Sequence, residues 1–341
     1  MTSTSRQKTR SGKGFSRDKR RAEDATDIIV FVDEPDGNSP GICHAQKVAG
    51  AFGGKVVLVH VQCRDDDGND PIDPVEWDIR KQKSRRWLDE MARCANVEHV
   101  PCEAQLLEGH CLSQIKSFLA QHQGDIAAAL RTPHDKDWKL SETAWGVLLS
   151  RSAGVLMIPQ DSAIDTKKKY DRILVPLDGS ARAEIALPTA VTLAMAEAAE
   201  LVLCHVAPKP GLSEFGANDQ EAERLRDQIC KRNEKAGKNY LARIKNRLAR
   251  DSLRISVRIS SDGDARRALI DIIREEQADF AVMATHGESG HRDVPTGDVA
   301  RHILDRANIP VLLMRPKNGR AGAHVFGKPS SDGVRQPVGT D

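Results

Sequence analysis

A glycine-bearing loop in the second half of the sequence carries residue types that could hold a phosphate group. It follows the apolar run F-A-V-M and reads A-T-H-G-E-S-G-H-R-D-V-P-T-G-D over residues 284–298. Gly287 and Gly297 lack a Cβ atom, so backbone N–H groups beside them can approach an anion closely. Because Gly297 lies where a helix is predicted to begin, the free N–H groups of that helix would also attract an anion.

The residue that follows Gly297 is a carboxylate, Asp298, where a serine or threonine hydroxyl could donate to a phosphate oxygen. An ionised carboxylate donates nothing and repels the phosphate. At about 4 Å, two unit charges interact by roughly 1 kcal/mol in water and about 4 kcal/mol near a protein surface, on the order of tenfold to a thousandfold in affinity. We also expect Asp298 to act as the N-cap and accept the helix's own N–H groups. The loop therefore predicts a weakened nucleotide site, which a Mg²⁺ ion between Asp298 and a phosphate could restore.

Composition places the chain among cytoplasmic globular proteins with two domains. Its 341 residues are 39% apolar and 29% charged, and no apolar stretch approaches the roughly 20 residues that span a bilayer. The N-terminus is polar and basic without the apolar region of a signal peptide, and the seven cysteines include no C-x-x-C pair. These features predict reduced thiols, without a disulfide framework or a structural zinc site.

The sequence contains an internal repeat, which predicts two homologous domains. Two residue pairs share one offset along the chain and two share a second, longer offset: Asp33 with Asp178, His60 with His205, Gly109 with Gly263, and Asp125 with Asp279. The predicted organisation is a disordered basic arm at 1–26, a domain at 27–160, a linker at 161–169, a second domain at 170–316 and a disordered tail at 317–341.

Each copy shows the pattern β-α-β-α-β-α-β-α-β. In the second copy the predicted strands cover residues 172–178, 201–206, 254–260, 280–285 and 310–315, and their apolar character is typical of a parallel sheet covered on both faces. An apolar stripe marks a charged helix over 219–248, and Asp264 is the predicted N-cap of a shorter helix. The fold class is therefore a doubly wound α/β sheet, in which ligands bind beyond the carboxyl ends of the strands, where the winding reverses.

Short motifs at these positions resemble those of the universal stress protein family, in its tandem two-domain form. In the second copy they are V-P-L-D-G-S, L-C-H-V, D-G-D-A-R, A-T-H-G and P-V-L-L-M-R-P. The resemblance covers both copies and implies two flavodoxin-like (adenine nucleotide alpha hydrolase-like) domains, each with a five-stranded parallel sheet. It also implies a regulatory role in stress, with a pocket that either binds ATP or has lost that ability.

The same resemblance implies the residues of a nucleotide site. Members that bind nucleotide carry G-x2-G-x9-G-[ST], which this chain matches in spacing, with alanine in the first place and aspartate in the last. The implied contacts place Pro176 and Asp178 against the adenosine, with Asp178 on the ribose hydroxyls, the Val206 backbone on adenine and Met283 beside the base. The cofactor would be ATP or AMP, with Mg²⁺, in the second domain. The degenerate site comprises Pro176, Asp178, Val206, Met283, Ala284, Gly287, Gly297 and Asp298.

The first domain lacks the features of such a site. Its loop over residues 132–143 contains no glycine, and Pro133 stands where the one after the strand should be, so the phosphate cradle is gone. Trp138 and Trp145 near this loop indicate either a core or interdomain contact or a platform for a partner or ligand.

No catalytic or metal-binding constellation is predicted in either domain. His60 and His205 occupy equivalent strand ends and are expected to pack rather than to catalyse. Ser180 lacks a surrounding G-x-S-x-G motif, so a hydrolase triad is unsupported. A further cluster lies on an exposed glycine-rich loop, which makes a poor rigid cage for a metal: His286, His291 and Asp293.

Three hypotheses for the function stay open. The leading one is a non-enzymatic, stress-associated regulatory or binding protein that acts on a protein partner. The second is an ATP sensor, whose nucleotide occupancy or slow hydrolysis controls partner binding. The third is a nucleic-acid or membrane-surface adaptor, in which basic residues within 6–21 contact an anionic surface. The closing strands, 154–159 and 310–316, are expected to pair edge to edge as an internal pseudo-dimer, and two chains could associate further as a homodimer.

Overall fold

The computed structural model describes residues 25–33, 40–63, 73–96, 100–122, 125–134, 137–160, 169–210, 220–250, 252–286 and 296–316. Residues 1–24, 161–168 and 317–341 lie outside the described residues, and they hold the predicted basic arm, most of the predicted linker and the predicted tail.

The first half of the chain contains six strands and four helices within the described residues. The strands are β1 (Thr26–Phe31), β2 (Gly53–Cys63), β3 (Cys102–Gly109), β4 (Ile126–His134), β5 (Asp137–Leu140) and β6 (Gly154–Pro159). The helices are α1 (Pro40–Phe52), α2 (Pro74–Ala95), α3 (Cys111–Gln121) and α4 (Glu142–Leu149).

The second half contains five strands and four helices within the described residues. The strands are β7 (Arg172–Pro176), β8 (Glu200–Val206), β9 (Arg254–Ser260), β10 (Phe280–Ala284) and β11 (Val311–Met314). The helices are α5 (Ala186–Glu197), which follows one 3₁₀ turn, α6 (Gln220–Leu248), α7 (Ala265–Glu275) and α8 (Asp298–Arg306). The five strands match the predicted apolar runs, and Asp264 caps α7 as predicted by accepting the Arg266 N–H.

Both halves have the same strand order. The first half is ordered β3-β2-β1-β4-β6 and the second β9-β8-β7-β10-β11, and the pairs along each path are parallel. The winding therefore reverses between the first and fourth strands of each half. This order begins like that of the doubly wound dinucleotide-binding fold, whereas flavodoxin itself has the order 2-1-3-4-5. The predicted tandem of two doubly wound α/β sheets is confirmed.

The two sheets join through their last strands, as the sequence predicts. Strand β6 pairs with β11 in antiparallel orientation, and the register runs from Val311 opposite Met157 to Met314 opposite Gly154. One continuous sheet results, and within the described residues four helices cover each of its faces. Buried residues of α1, α2, α5 and α6 form one core layer, and those of α3, α4, α7 and α8 form the other. Both layers span both halves, so the two domains share their cores.

Equivalent polar contacts confirm the repeat. Asp125 accepts the N–H of Asp27 in the first half, and Asp279 accepts the N–H groups of Asp171 and Arg172 in the second. In each half, the aspartate before the fourth strand thus ties down the start of the first strand. Burial raises the pKa of both carboxyl groups. The equivalent glycines Gly109 and Gly263 have φ values of 133° and 86°, a region that favours glycine.

One polar segment of the first half forms a strand that the sequence does not predict. Strand β5 pairs antiparallel with the end of β4 inside the region predicted as a loop over residues 132–143. Its sequence, D-W-K-L, has no extended apolar run, so its strand conformation comes from the pairing with β4.

Two arginines hold the halves together by reaching across the join. Arg131 of β4 is fully buried and donates to the carbonyls of Leu304, Ala307 and Ile309 around the end of α8. Arg315, after β11, donates in return to the last carbonyls of α4, at Leu148 and Ser150. Because a helix C-terminus leaves carbonyls unpaired and partly negative, each guanidinium caps a helix of the opposite half. Burial lowers the pKa of Arg131 to about 9.

The opposite face of the sheet carries a buried hydrogen bond between the halves. His44 of α1 and Tyr170, which precedes β7, lie 2.6 Å apart from Nδ1 to the phenol oxygen, and both side chains are buried. Burial, together with the charge of Lys47, lowers the pKa of His44 to about 3. The imidazole is therefore neutral in the folded protein.

Candidate functional site

The candidate site lies where β7, β8 and β10 end at one edge of the second half. These strands are neighbours in the order β10-β7-β8, and the winding reverses between β7 and β10. Pro176 and Val206 end their strands at this edge, and Ala284 ends β10. The structure thus brings together most of the residues that the resemblance assigned to adenosine. The position is the usual ligand crevice of a doubly wound sheet.

Two of the predicted site residues on β10 face the core in this structure. Met283 is 6% exposed and Ala284 is 8% exposed, and Met283 belongs to the core layer formed by α7 and α8. The structure therefore describes a core-packing role for Met283. Gly287, the predicted central glycine of the loop, lies outside the described residues, as do His291 and Asp293.

The turn after β7 presents Asp178 at the edge of the sheet. Asp178 is exposed, and its carboxylate accepts the N–H of Ser180 at 2.9 Å. The Ser180 hydroxyl accepts the N–H of Ala183 at 3.1 Å, so it braces the 3₁₀ turn before α5. The described contacts of Ser180 are therefore those of a residue that stabilises a turn.

The start of α8 differs from the prediction. Gly297, not Asp298, is the N-cap, and Asp298 is the first residue of the helix. The expectation that the Asp298 carboxylate caps the helix is therefore wrong. The N-cap residue contributes no side-chain hydrogen bond, and among the described residues no side chain is seen to cap the first N–H groups of α8.

Close approach explains why glycine occupies the N-cap of α8. The Gly297 N–H donates to the Thr285 carbonyl at 2.7 Å, which ties the helix start to the end of β10. A Cβ atom at residue 297 would lie 3.3 Å from that same carbonyl oxygen. A side chain at residue 297 would therefore crowd the end of β10.

The Asp298 carboxylate pairs with an arginine from the neighbouring helix instead. Its Oδ2 accepts Arg266 Nη1 at 3.2 Å, and the Asp298 side chain is 78% exposed. Arg266 also contacts Asp264, the N-cap of α7, at 3.3 Å. These contacts raise the pKa of Arg266, chiefly through Asp264 and then through Asp298. One cation and two carboxylates therefore line the approach to the start of α8.

The equivalent edge of the first half is closed by its own side chains. Asp33, the counterpart of Asp178, accepts the hydroxyl groups of Ser141 at 3.0 Å and Thr143 at 2.5 Å. Ser141 is the N-cap of α4 and accepts the N–H of Ala144, so a side chain satisfies this helix start. These hydroxyl and carboxylate groups thus join the end of β1 to the start of α4 at this edge.

Tryptophans of the first half have structural contacts. Arg301 of α8 stacks over Trp145 of α4, with 6.0 Å from the guanidinium carbon to the ring centroid. This confirms an interdomain contact for Trp145, whereas the Trp138 side chain lies outside the described residues. Trp87 packs edge-on against His60.

The equivalent histidines have equivalent structural contacts. His60 Nδ1 lies 2.9 Å from the Val32 carbonyl, and His205 Nδ1 lies 2.8 Å from the Leu177 carbonyl. Each ring tethers the second strand of its half to the residue after the first strand. The predicted packing role of both histidines is confirmed.

The residue that sequence reasoning missed at this site is Arg266. It appears in the D-G-D-A-R turn, whose aspartate was identified as a helix cap while the arginine was given no role. Its contact with Asp298 joins two residues that are 32 positions apart in sequence, so no local pattern could have indicated it.

Comparison with known proteins assigns the second half to a family. Residues 169–315 match the sequence profile of the universal stress protein family. A universal stress protein of Methanocaldococcus jannaschii is 24% identical over 44% of this chain and 97% of its own length. One from Bacillus subtilis is 25% identical over 43% of this chain and 99% of its own length.

Comparison of folds extends the likeness to both halves. The crystal structure of a universal stress protein from Archaeoglobus fulgidus superposes with a TM-score of 0.61, covering 87% of this chain and 98% of that one, at 17% identity. None of the helices in the described residues combines the length and apolarity that crossing a bilayer requires. The second half is therefore a universal stress protein domain, and the first half repeats its fold.

Proposed function

We propose that the protein is a non-enzymatic, stress-associated binding protein with one degraded nucleotide site, in its second half. The contrast between the two helix starts supports this proposal. In the first half Ser141 caps α4 and bonds Asp33, whereas in the second half α8 begins at Gly297 without a side-chain cap. Among the described residues, the start of α8 therefore has backbone N–H groups without a side-chain cap, whereas the start of α4 does not.

The degradation of the second site rests on Asp298. Its carboxylate stands in the first turn of α8, where a hydroxyl would help to bind a phosphate and a negative charge repels one. Because this side chain is 78% exposed and paired with Arg266, water and the guanidinium screen the repulsion. We therefore expect the loss in affinity to be nearer tenfold than a thousandfold.

A second candidate function is the nucleotide sensor, in which occupancy of this site controls partner binding. The specific observation in its favour is Arg266, an exposed cation beside the open start of α8. If the guanidinium turned from Asp298 to a phosphate, or if Mg²⁺ bridged Asp298 to one, ATP or AMP would gain a charged contact. The adaptor hypothesis rests on the basic residues within 6–21, which lie outside the described residues.

Two measurements on the full chain separate these candidates. Mass spectrometry of the freshly purified protein should find no adenine nucleotide, and calorimetric titration with Mg-ATP should give a dissociation constant weaker than about 10 µM. Co-purified ATP or AMP, or low-micromolar binding, would replace the degraded-site proposal with the sensor. Absence of ADP formation over long incubation with ATP should accompany the first outcome.

A further inference from the structure

Helix α6 carries a basic surface that the nucleotide site does not use. Residues 228–250, which include most of the helix, hold eight cationic side chains and a single acidic one, Glu234. The equivalent helix of the first half, α2, has six cations against four acids. Over its full length α6 has nine cations against four acids, so the excess of positive charge is larger in the second half.

Six of these eight cations form no ion pair with any residue that the structure describes, and five of the six lie within the helix. Lys238 pairs with Glu234, and Arg247 pairs with Glu184. The other five within the helix are all exposed, and we call them the basic face of α6: Lys231, Arg232, Lys235, Arg243 and Lys245.

The basic face points away from the core. The buried side of α6 contains Gly237, Leu241, Ile244 and Leu248, which recur at the spacing of one helical face. The five cations lie on the remaining circumference, and the helix places them along about 21 Å of its axis. Like charges three and four residues apart weaken an isolated helix, so this pattern opposes the stability of α6. A binding role would account for its presence.

We propose that the basic face of α6 binds the phosphate backbone of a nucleic acid without reading its sequence. A duplex presents one phosphate charge every 3.4 Å along each strand, so the length of the face spans several phosphates. A membrane surface suits the face less well, because interfacial helices bury a broad apolar side in the lipid. The face lacks an exposed apolar residue larger than Ala242, and α6 turns its apolar side to the sheet.

The test uses the full chain and a short DNA duplex of mixed sequence, with a single-stranded RNA as a second probe. The triple variant Arg232→Gln, Lys235→Gln, Arg243→Gln removes the centre of the face. A matched control on the other half is Lys83→Gln, Arg85→Gln, Arg86→Gln, which removes the same charge from exposed residues of α2 without described ion pairs. Both variants keep the basic N-terminal arm, and their net charges are equal to each other. Unchanged circular dichroism shows that each remains folded.

The α6 variant should weaken duplex binding by about tenfold or more at 50 mM salt, and it should reduce the log–log salt slope by roughly two to three. The control should leave both values close to those of the natural chain. If both variants lose duplex affinity equally, net charge rather than the basic face of α6 is responsible for binding. If the α6 variant loses no affinity, binding is assigned to the N-terminal arm. Absence of duplex and RNA binding by the natural chain also overturns the proposal. Vesicles of anionic phospholipid serve as a further probe. If the α6 variant loses binding to the vesicles but not to the duplex or the RNA, the proposal is also overturned, and the partner is a membrane.

Discussion

The Thr143 hydroxyl donates a hydrogen bond to the Asp33 carboxylate at 2.5 Å, across the edge of the first-half sheet that corresponds to the candidate site. Asp33 is the repeat equivalent of Asp178, so the same residue type has a different partner in each half. In the first half it fastens α4 to the end of β1. In the second half it faces solvent and accepts the N–H of Ser180.

Substitution of Thr143 tests whether this contact supports the fold. Thr143→Val keeps the shape of the side chain but removes the hydroxyl, leaving Asp33 with Ser141 as its remaining hydroxyl donor. We expect the free energy of unfolding to fall by about 1 kcal/mol, measured by urea denaturation. The control is Thr192→Val, since that exposed hydroxyl bonds a carbonyl of its own helix. Equal effects in the two variants would show that the bond to Asp33 adds no stability.

Replacement of Asp298 tests the degraded nucleotide site. Asp298→Ser removes the negative charge and supplies a hydroxyl at the first turn of α8, so calorimetry should show Mg-ATP binding tightened by about tenfold or more. The control is Glu142→Ser, which makes a similar change at the first residue of α4. That variant should not gain nucleotide binding, because Ser141 and Asp33 close the first-half edge. If Asp298→Ser binds Mg-ATP no more tightly than the natural chain, the carboxylate is not the cause of weak binding.

The buried His44 predicts a loss of stability in acid. Its pKa is about 3 in the folded protein and about 6.5 when unfolded, so between these values the unfolded chain binds the extra proton. The stability that the neutral imidazole contributes is complete above pH 6.5 and falls as the pH drops towards 3. From pH 7.5 to 5.5 the expected loss is about 1.4 kcal/mol.

The variant His44→Gln isolates that contribution. Urea denaturation at both pH values should show a drop for the natural chain that exceeds the drop for the variant by about 1.4 kcal/mol. His110→Gln, at an exposed position, serves as the control and should follow the natural chain. If His44→Gln loses as much stability between the two pH values as the natural chain, the buried imidazole is not the titrating group.

The arginine contact between the halves predicts a large effect from a single substitution. Arg131→Met fills similar space but leaves the carbonyls of Leu304, Ala307 and Ile309 without the guanidinium. We expect a loss of about 2–4 kcal/mol in urea denaturation, with faster hydrogen exchange in α8, because buried carbonyls are costly to leave unpaired. Arg274→Met, an exposed arginine on α7, should cost less than about 0.5 kcal/mol. A small effect at Arg131 would mean that water can replace its hydrogen bonds.

The sequence was most informative where structure depends on local apolar pattern. Four strands of the second half lie within the predicted apolar runs, β8 begins one residue before its run, and β6 and β11 pair as their apolar edges indicated. The repeat offsets located Asp125 and Asp279 at equivalent places, because each fills the same turn geometry in its half.

Structure that depends on distant partners could not be read from local pattern. Strand β5 is polar and extended because β4 lies beside it. Arg131 donates to a carbonyl 173 residues away, and nothing in its own segment indicates that it would be buried. The N-cap of α8 lies one residue earlier than predicted, and this shift changes the role of Asp298. Because α8 is capped at Gly297, the carboxylate points to Arg266 rather than to the helix N–H groups.

The antiparallel join of β6 to β11 has a consequence for how the protein behaves at low abundance. Both strands belong to one polypeptide, so their association is intramolecular and does not depend on how much protein is present. Dilution would separate two single-domain chains that paired through the same strands, but it leaves β6 and β11 of one chain paired. A cell holding only a few copies would therefore still have the two halves of each copy paired.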